Sequence, residues 1–260
     1  MTPSSLLARA LAYPFDPADH SFVFVAGRGY RLVRNGPDLF ADAHVERDGT
    51  HVHLGQTLAE LGAGETDGME RRTPVVGYGS NASALRLAEK FGDGPDHVIP
   101  VLRCRLHDHD IVYATHFASY GSLPAAVFAS PGTIAEVSVS FLTERQLEVM
   151  HGSEGDNYRF DRLDAVIEVD GLGRLERPST YITVHGVCGL DGAPTALAAV
   201  SATHRRFRAL DQKTALERAC RALGCTDLSS FVGAMVADKE HRLAMCQALR
   251  RHAIAHGTQL

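Results

Sequence analysis

The segment Pro74-Val75-Val76-Gly77-Tyr78-Gly79-Ser80-Asn81 joins a short apolar run to a small-residue turn and the start of a helix, an order of residue types that suits anion binding. Val75 and Val76 read as the end of a buried strand. Gly77 and Gly79 lack the Cβ atoms that would hold a ligand away from the backbone, and Ser80 and Asn81 are good helix caps. A helix over residues 83–91 would turn its positive end toward the bound group. Strand, turn and cap chemistry alone accounts for the same residues, so the segment needs a partner from elsewhere in the chain.

Other candidate chemistry is weaker. In His107-Asp108-His109-Asp110, alternate strand residues share a face, so two histidines with His116 as a third could ligate zinc. The same run reads equally as an exposed hairpin turn between two strands, and His51 and His53 repeat the spacing. Ser122, in Tyr120-Gly121-Ser122-Leu123, lacks the second glycine of a nucleophile elbow. Gly27-Arg28-Gly29 lacks the third glycine and the helix of a dinucleotide loop.

The elements that must position these residues fall into three stretches. Residues 1–72 read as an extension, with a helix over 6–12, strands at 21–25, 30–33 and 51–54, and a linker at 62–68. Residues 73–200 are β-rich, with strands at 98–106, 111–115, 125–128, 134–141, 163–169 and 181–187. A helix at 143–150 interrupts them behind a Thr143–Gln146 capping box. So many strands and so few helices predict a closed or strongly curved sheet in an α+β fold. Residues 201–260 carry two amphipathic helices, around 215–223 and 228–236, whose apolar stripes read as core packing.

Composition narrows the function classes. The chain has 260 residues, 45% hydrophobic and 22% charged, enough to bury a sizeable core. Its net charge of −5 offers no overall basic surface for nucleic acid, and the run His204-Arg205-Arg206-Phe207-Arg208 reads as a solvated helix start. Five cysteines without a CxxC pair indicate neither a disulfide framework nor a zinc ribbon, which fits reduced thiols in a cytoplasmic protein. The apolar stretch 6–12 is interrupted by Arg9 and reads as a first helix, not a signal peptide. No apolar run approaches the ~18 residues of a membrane span, so no membrane role is expected.

Read together, residues 74 to about 187 resemble the γ-glutamylcyclotransferase-like family of small β-barrel enzymes with flanking helices. Tyr78-Gly79-Ser80-Asn81 matches the signature loop after the family's first strand, and Ser130-Pro131-Gly132 with the strand that follows looks like its central hairpin. Glu154 stands after the short helix, at the place of the family's catalytic glutamate, with Tyr158 opening the next segment. Tyr181 is similar to a tyrosine found at the pocket on the last barrel strand. The family usually has a leucine directly after the loop; Ala82 stands there, and Leu85 is the candidate to supply the missing apolar contact.

The resemblance implies that the α-amine of a γ-glutamyl group attacks its own δ-carbonyl, closing 5-oxoproline and expelling an amine or amino acid. Glu154 would move the protons, with burial beneath Tyr158 and Tyr181 raising its pKa from the usual value of about 4.3. The amides of Tyr78, Gly79, Ser80 and Asn81 would hold the α-carboxylate or the oxyanion. No metal or organic cofactor is implied. Two other readings stand beside it: a non-catalytic module that binds a small carboxylate or a protein partner, and a metal hydrolase built on His107, His109 and His116. The oligomeric state is not legible in the sequence.

Overall fold

Helix α1 (Pro3–Leu11) leads into a hairpin of β1 (Phe22–Val25) and β2 (Arg28–Arg34), turned at Ala26-Gly27, both with positive φ. This is a computed structural model, and it describes residues 3–34, 38–64 and 66–256. Helix α2 (Leu39–Asp42), the hairpin β3 (His44–Arg47) and β4 (Thr50–His53), and helix α3 (Leu54–Glu60) follow. His53 closes β4 and caps α3, its Nδ1 accepting from the Gly55 amide at 3.2 Å. Leu54, placed in the strand by its apolar character, instead opens α3 and is fully buried.

Next come β5 (Thr73–Gly77), α4 (Ala84–Phe91), β6 (Ile99–Tyr113), β7 (Ala125–Leu142), α5 (Glu144–Glu154), β8 (Tyr158–Arg162), β9 (Val166–Val169), β10 (Gly173–Glu176) and β11 (Ser179–Thr183). The sheet runs β4-β3-β2-β1-β6-β7-β5-β11-β8, mostly antiparallel, with β5 and β11 parallel. This is an α+β fold, but the path has two ends and does not close into the barrel expected from the strand count. The reason lies in the length of β6, which pairs with β1 at its start and β9 at its middle, so its outer edge is filled by short segments.

Two expected pairs of strands are single strands. His107-Asp108-His109-Asp110 is not a turn: Asp108 takes a left-handed φ of 57° as a bulge, and its carboxylate accepts from the Gly132 amide at 2.8 Å. Ser130-Pro131-Gly132, expected at a hairpin, lies inside β7 opposite that bulge, where a proline's missing N–H removes no ladder bond. The region expected as one strand over 181–187 divides into β11 and a two-residue strand, Val187–Cys188.

Among the described residues the carboxyl end holds three α-helices where two were expected: α6 (Gln212–Ala222), α7 (Leu228–Ala237) and α8 (Lys239–Leu249). Asp238 ends α7 and caps α8, accepting from the amides of Glu240 and His241, so no gap in the sequence announces the third. Its first turn is polar, which hides the stripe carried by the buried Cys246 and Leu249. The basic run 204–208 starts no helix either, since Arg205 pairs with buried Asp110 and Phe207 packs its ring on Phe128. All five cysteines are free thiols, and no described helix is long and apolar enough to cross a membrane.

The strand order explains how the candidate residues meet. Val75 and Val76 face opposite sides of the sheet into separate cores. On the Val75 side, Leu87, Phe91, Leu142, Met150 and Tyr181 form the layer beneath α4 and α5. Helix α5 leaves β7 beside the start of β5, where Leu142 pairs with Thr73. Its 11 residues rise about 16 Å, close to the span of five-residue β5, so its last residue arrives beside the loop that follows β5. The capping box forms as expected, and buried Arg72 locks the helix start by donating to Gln146 Oε1 at 3.3 Å and to the Val98 and Phe141 carbonyls.

Candidate active site

Three chain segments converge at the end of β5. Parallel β11 brings Tyr181 to the same end, and antiparallel β8 places Tyr158 opposite Thr183. Together with the end of α5 and part of α8 they enclose a cavity of about 680 Å³, lined by Tyr78, Gly79, Ser80, Asn81, Glu154, Tyr158 and Tyr181 among others. Residues Ser80–Ala82 form a 3-10 turn before α4, so Ser83, not Ser80 or Asn81, stands at the helix cap. The amides of Ser80 and Asn81 are the first of that turn and have no acceptor within it.

Glu154 is the last residue of α5 rather than a loop residue. Its Oε1 accepts from Asn81 Nδ2 at 3.0 Å and from Lys90 Nζ at 3.0 Å, while Oε2 has no protein donor among the described residues. Lys90 also donates to Asn81 Oδ1 at 2.6 Å, closing a triangle whose ion pair is only 10% and 15% exposed. Burial pushes the Lys90 ammonium below the usual lysine range, and the Glu154 carboxylate opposes that shift. Sequence reading missed Lys90. Its helical position, on the turn of α4 that faces α5, was the only signal.

The tyrosines are arranged otherwise than expected. Neither Tyr158 nor Tyr181 bonds Glu154: the Tyr158 hydroxyl donates to the Ala125 carbonyl at 2.8 Å, and the Tyr181 hydroxyl meets His151 Nδ1 at 2.9 Å. Tyr78 is buried, with its hydroxyl donating to the Tyr181 carbonyl, which ties β5 to β11 across the site. Burial raises all three phenols, and the Glu154 charge adds to the shift, so they are neutral hydrogen-bonding groups.

A fourth tyrosine comes from the amino-terminal stretch. Tyr13 accepts from the Ala125 amide at 2.7 Å and lies where a Cβ on Gly79 would stand. The missing side chain at Gly79 thus admits Tyr13, not a ligand. Leu85 does not replace the absent leucine after the loop, since it is 61% exposed; the packing residue of α4 is Leu87, which is fully buried.

His116 lines the same cavity, nearly fully buried, and its Nδ1 has no hydrogen-bond partner among the described residues. Burial, then the His185 and Arg250 charges, push its pKa down to about 3. In the unfolded chain an imidazole titrates near ~6.5. Below that pH the unfolded chain binds a proton that the folded chain refuses. The associated stability is therefore whole above ~6.5 and is lost as pH falls toward the folded value. Linkage puts the loss between pH 7 and pH 5 at about 2 kcal/mol. His116→Asn is expected to flatten that part of the stability profile in urea titrations; an unchanged slope would assign it to other groups.

The proposed zinc donors do not converge. His109 Nδ1 lies 2.9 Å from the His107 carbonyl, His107 Nε2 is 3.4 Å from Glu168, and His116 packs its ring against Tyr158 and His185. Among the described residues no three His, Cys, Asp or Glu side chains group to hold a metal ion.

No family model matches the chain, and no curated protein matches it. Among solved structures, it is similar to a protein named gamma-glutamyl cyclotransferase, at 15% identity and a TM-score of 0.36, over 44% of this chain and 67% of that one. It is also similar to At5g39720.1 from Arabidopsis thaliana, at 16% identity and a TM-score of 0.34, over 44% of this chain and 70% of that one. An uncharacterized protein from Homo sapiens aligns over 73% of this chain and 92% of its own, at 12% identity and a TM-score of 0.37. Likenesses at this level carry no argument about activity, and the functional reading rests on the side chains of the cavity.

Proposed function

We propose that the cavity cyclises the γ-glutamyl group of a γ-glutamyl amine or peptide to 5-oxoproline with release of the amine. The observation that supports this best is the Glu154 carboxylate, held by Asn81 and Lys90 through Oε1 and left with Oε2 free. Oε2 takes a proton from the substrate ammonium, and the freed amine attacks the δ-carbonyl carbon. Negative charge then develops on the carbonyl oxygen, for which the Ser80 and Asn81 amides are the donors at hand. As the tetrahedral intermediate collapses, the C–N bond to the leaving group breaks and Glu154 returns the proton to that nitrogen. The products are the lactam and a free amine, with no external nucleophile consumed. Enclosing the glutamyl chain in a bent geometry supplies much of the rate, because the reacting atoms are already tethered.

Lys90 is a positioning residue in this scheme. Its ammonium holds Oε1 beside Asn81, so Lys90→Met is expected to lower kcat with KM little changed, and Lys90→Arg to restore part of the loss. A loss that Lys90→Arg does not rescue, or that falls on KM alone, would remove the positioning role.

The non-catalytic reading has one observation in its favour: a buried ion pair is also what a fixed carboxylate-binding pocket uses to hold its shape. A panel of γ-glutamyl amines and dipeptides separates the two. Equimolar release of 5-oxoproline and amine supports the enzyme; binding without release supports the module.

A further inference from the structure

We infer that Tyr13 is a third donor of the oxyanion site, its hydroxyl hydrogen bonding the substrate's δ-carbonyl oxygen beside the Ser80 and Asn81 amides. The inference rests on the γ-glutamyl reading of the cavity. It adds a catalytic residue from the amino-terminal stretch, which the resemblance in the sequence does not reach.

The phenols around Glu154 differ in where their protons go. Tyr78 donates to the Tyr181 carbonyl, Tyr158 donates to the Ala125 carbonyl, and the Tyr181 hydroxyl meets His151 Nδ1. Tyr13 instead accepts, from the Ala125 amide at 2.7 Å, and none of the described residues accepts its own proton. It is only 6% exposed and lines the cavity, so that proton is available to what the cavity encloses. Tyr120 lines the cavity too, but it is half-exposed and its ring is covered by the guanidinium groups of Arg9 and Arg86.

Its position fits the role. The hydroxyl stands where a Cβ on Gly79 would be, against the residue before Ser80, and the Glu154 charge reaches it without a hydrogen bond between the two. Glu154 Oε2 lacks a donor and Tyr13 lacks an acceptor among the described residues, and a γ-glutamyl group brings one of each. Its ammonium donates to Oε2, and its carbonyl oxygen accepts from Tyr13. Burial raises the phenol well above its ordinary range, so Tyr13 stays O–H and donates a hydrogen bond without giving up its proton. The Ala125 amide on the phenol oxygen polarises the O–H and strengthens that bond.

The segment that carries Tyr13 is fastened on both sides. Helix α1 packs on α7, the Phe15 amide donates to the Ala12 carbonyl at 2.6 Å, and the Phe15 ring meets Tyr13 and Tyr120 edge-on, at 6.1 and 5.1 Å. Arg86 of α4 lies 4.8 Å from the centre of the Phe15 ring and pairs with Glu89, which also binds Arg9 of α1. These contacts clamp the amino-terminal stretch to the helix that follows the loop. Arg86 and Lys239 also line the cavity, and their charges act on a carboxylate, so a bond from Tyr13 is read at the carbonyl itself.

Tyr13→Phe keeps the ring and removes the donor. With the γ-glutamyl compound of highest kcat/KM it is expected to lower kcat about 100-fold, the loss typical of one oxyanion donor, with KM changed only a few-fold. The second readout is 5-oxoproline labelled with carbon-13 at the ring carbonyl. In infrared difference spectra of the bound compound, its carbonyl stretch is expected at higher frequency in Tyr13→Phe than in the parent, because a hydrogen bond to the oxygen is lost. Parent-like kcat, or a rise in KM alone, would overturn the inference while leaving the cyclisation standing. A fall in kcat with an unmoved carbonyl band also overturns it, as the mark of a structural role. Should Tyr13→Phe fail to fold, Gly79→Ala takes its place, since a Cβ there displaces the hydroxyl. A lower kcat with a raised band then supports the inference, and any other result overturns it. Should the parent turn over no γ-glutamyl compound, the cyclisation reading falls and the carbonyl band alone decides. A raised band in the variant supports the Tyr13 bond to a ligand carbonyl, whereas an unmoved band or no binding of 5-oxoproline overturns it.

Discussion

Glu154→Gln is expected to lower 5-oxoproline release by roughly 10³-fold, the middle of the range for loss of a general acid–base. Glutamine keeps the length of the side chain and an oxygen for Asn81 and Lys90, so the anchoring contacts at Oε1 can persist. What it loses is the free, basic Oε2. Binding of 5-oxoproline, measured by calorimetry, is therefore expected to change only a few-fold while turnover collapses. Activity of Glu154→Gln within about tenfold of the parent would remove Glu154 from proton transfer, because a positioning role alone survives that replacement. The result also separates the two readings of the cavity, since a binding module shows no turnover to lose.

Arg205→Met is expected to destabilise the fold by about 3–5 kcal/mol, the cost of leaving a buried charge without its partner. Asp110 lies in β6 with no exposed surface and accepts from Arg205 through Nε, at 3.1 and 3.0 Å, and through Nη2, at 3.0 Å. Arg205 Nη2 also holds the Val200 carbonyl at 2.7 Å, so the pair fastens the segment before α6 onto the long β6–β7 hairpin. Burial already pushes the Asp110 carboxyl up, and Arg205 is the main opposing influence. Without it the carboxyl takes up a proton, which limits the damage but does not restore the lost bonds. Denaturant titration of Arg205→Met and of the double variant Asp110→Asn with Arg205→Met reads both effects, with the double variant expected to be the more stable. A single variant as stable as the parent would show that the pair contributes nothing net.

These two residues mark where sequence reading stopped. Arg205 sat in a basic run that resembled a solvated helix start, and Asp110 sat in a histidine-rich run that resembled a metal site or a turn. Their pairing spans 95 positions and depends on the β6 bulge that keeps the strand continuous. Lys90 and Glu154 are 64 positions apart, and Tyr13 and Ala125 are 112 apart. Nothing in the local pattern of either partner names the other.

What the sequence determined by itself is local. The Thr143–Gln146 capping box, the α6 and α7 stripes behind Asp211 and Asp227, the β1–β2 hairpin and the turn after β5 all rest on contacts within a few residues, which side-chain type and spacing control directly. The tertiary structure alone decided that α5 spans the sheet far enough to bring Glu154 to Asn81, that Tyr13 fills the space at Gly79, and that the sheet stays open. Each of these depends on which strand pairs with which and on where a helix of given length ends, and those are properties of packed neighbours rather than of any one segment.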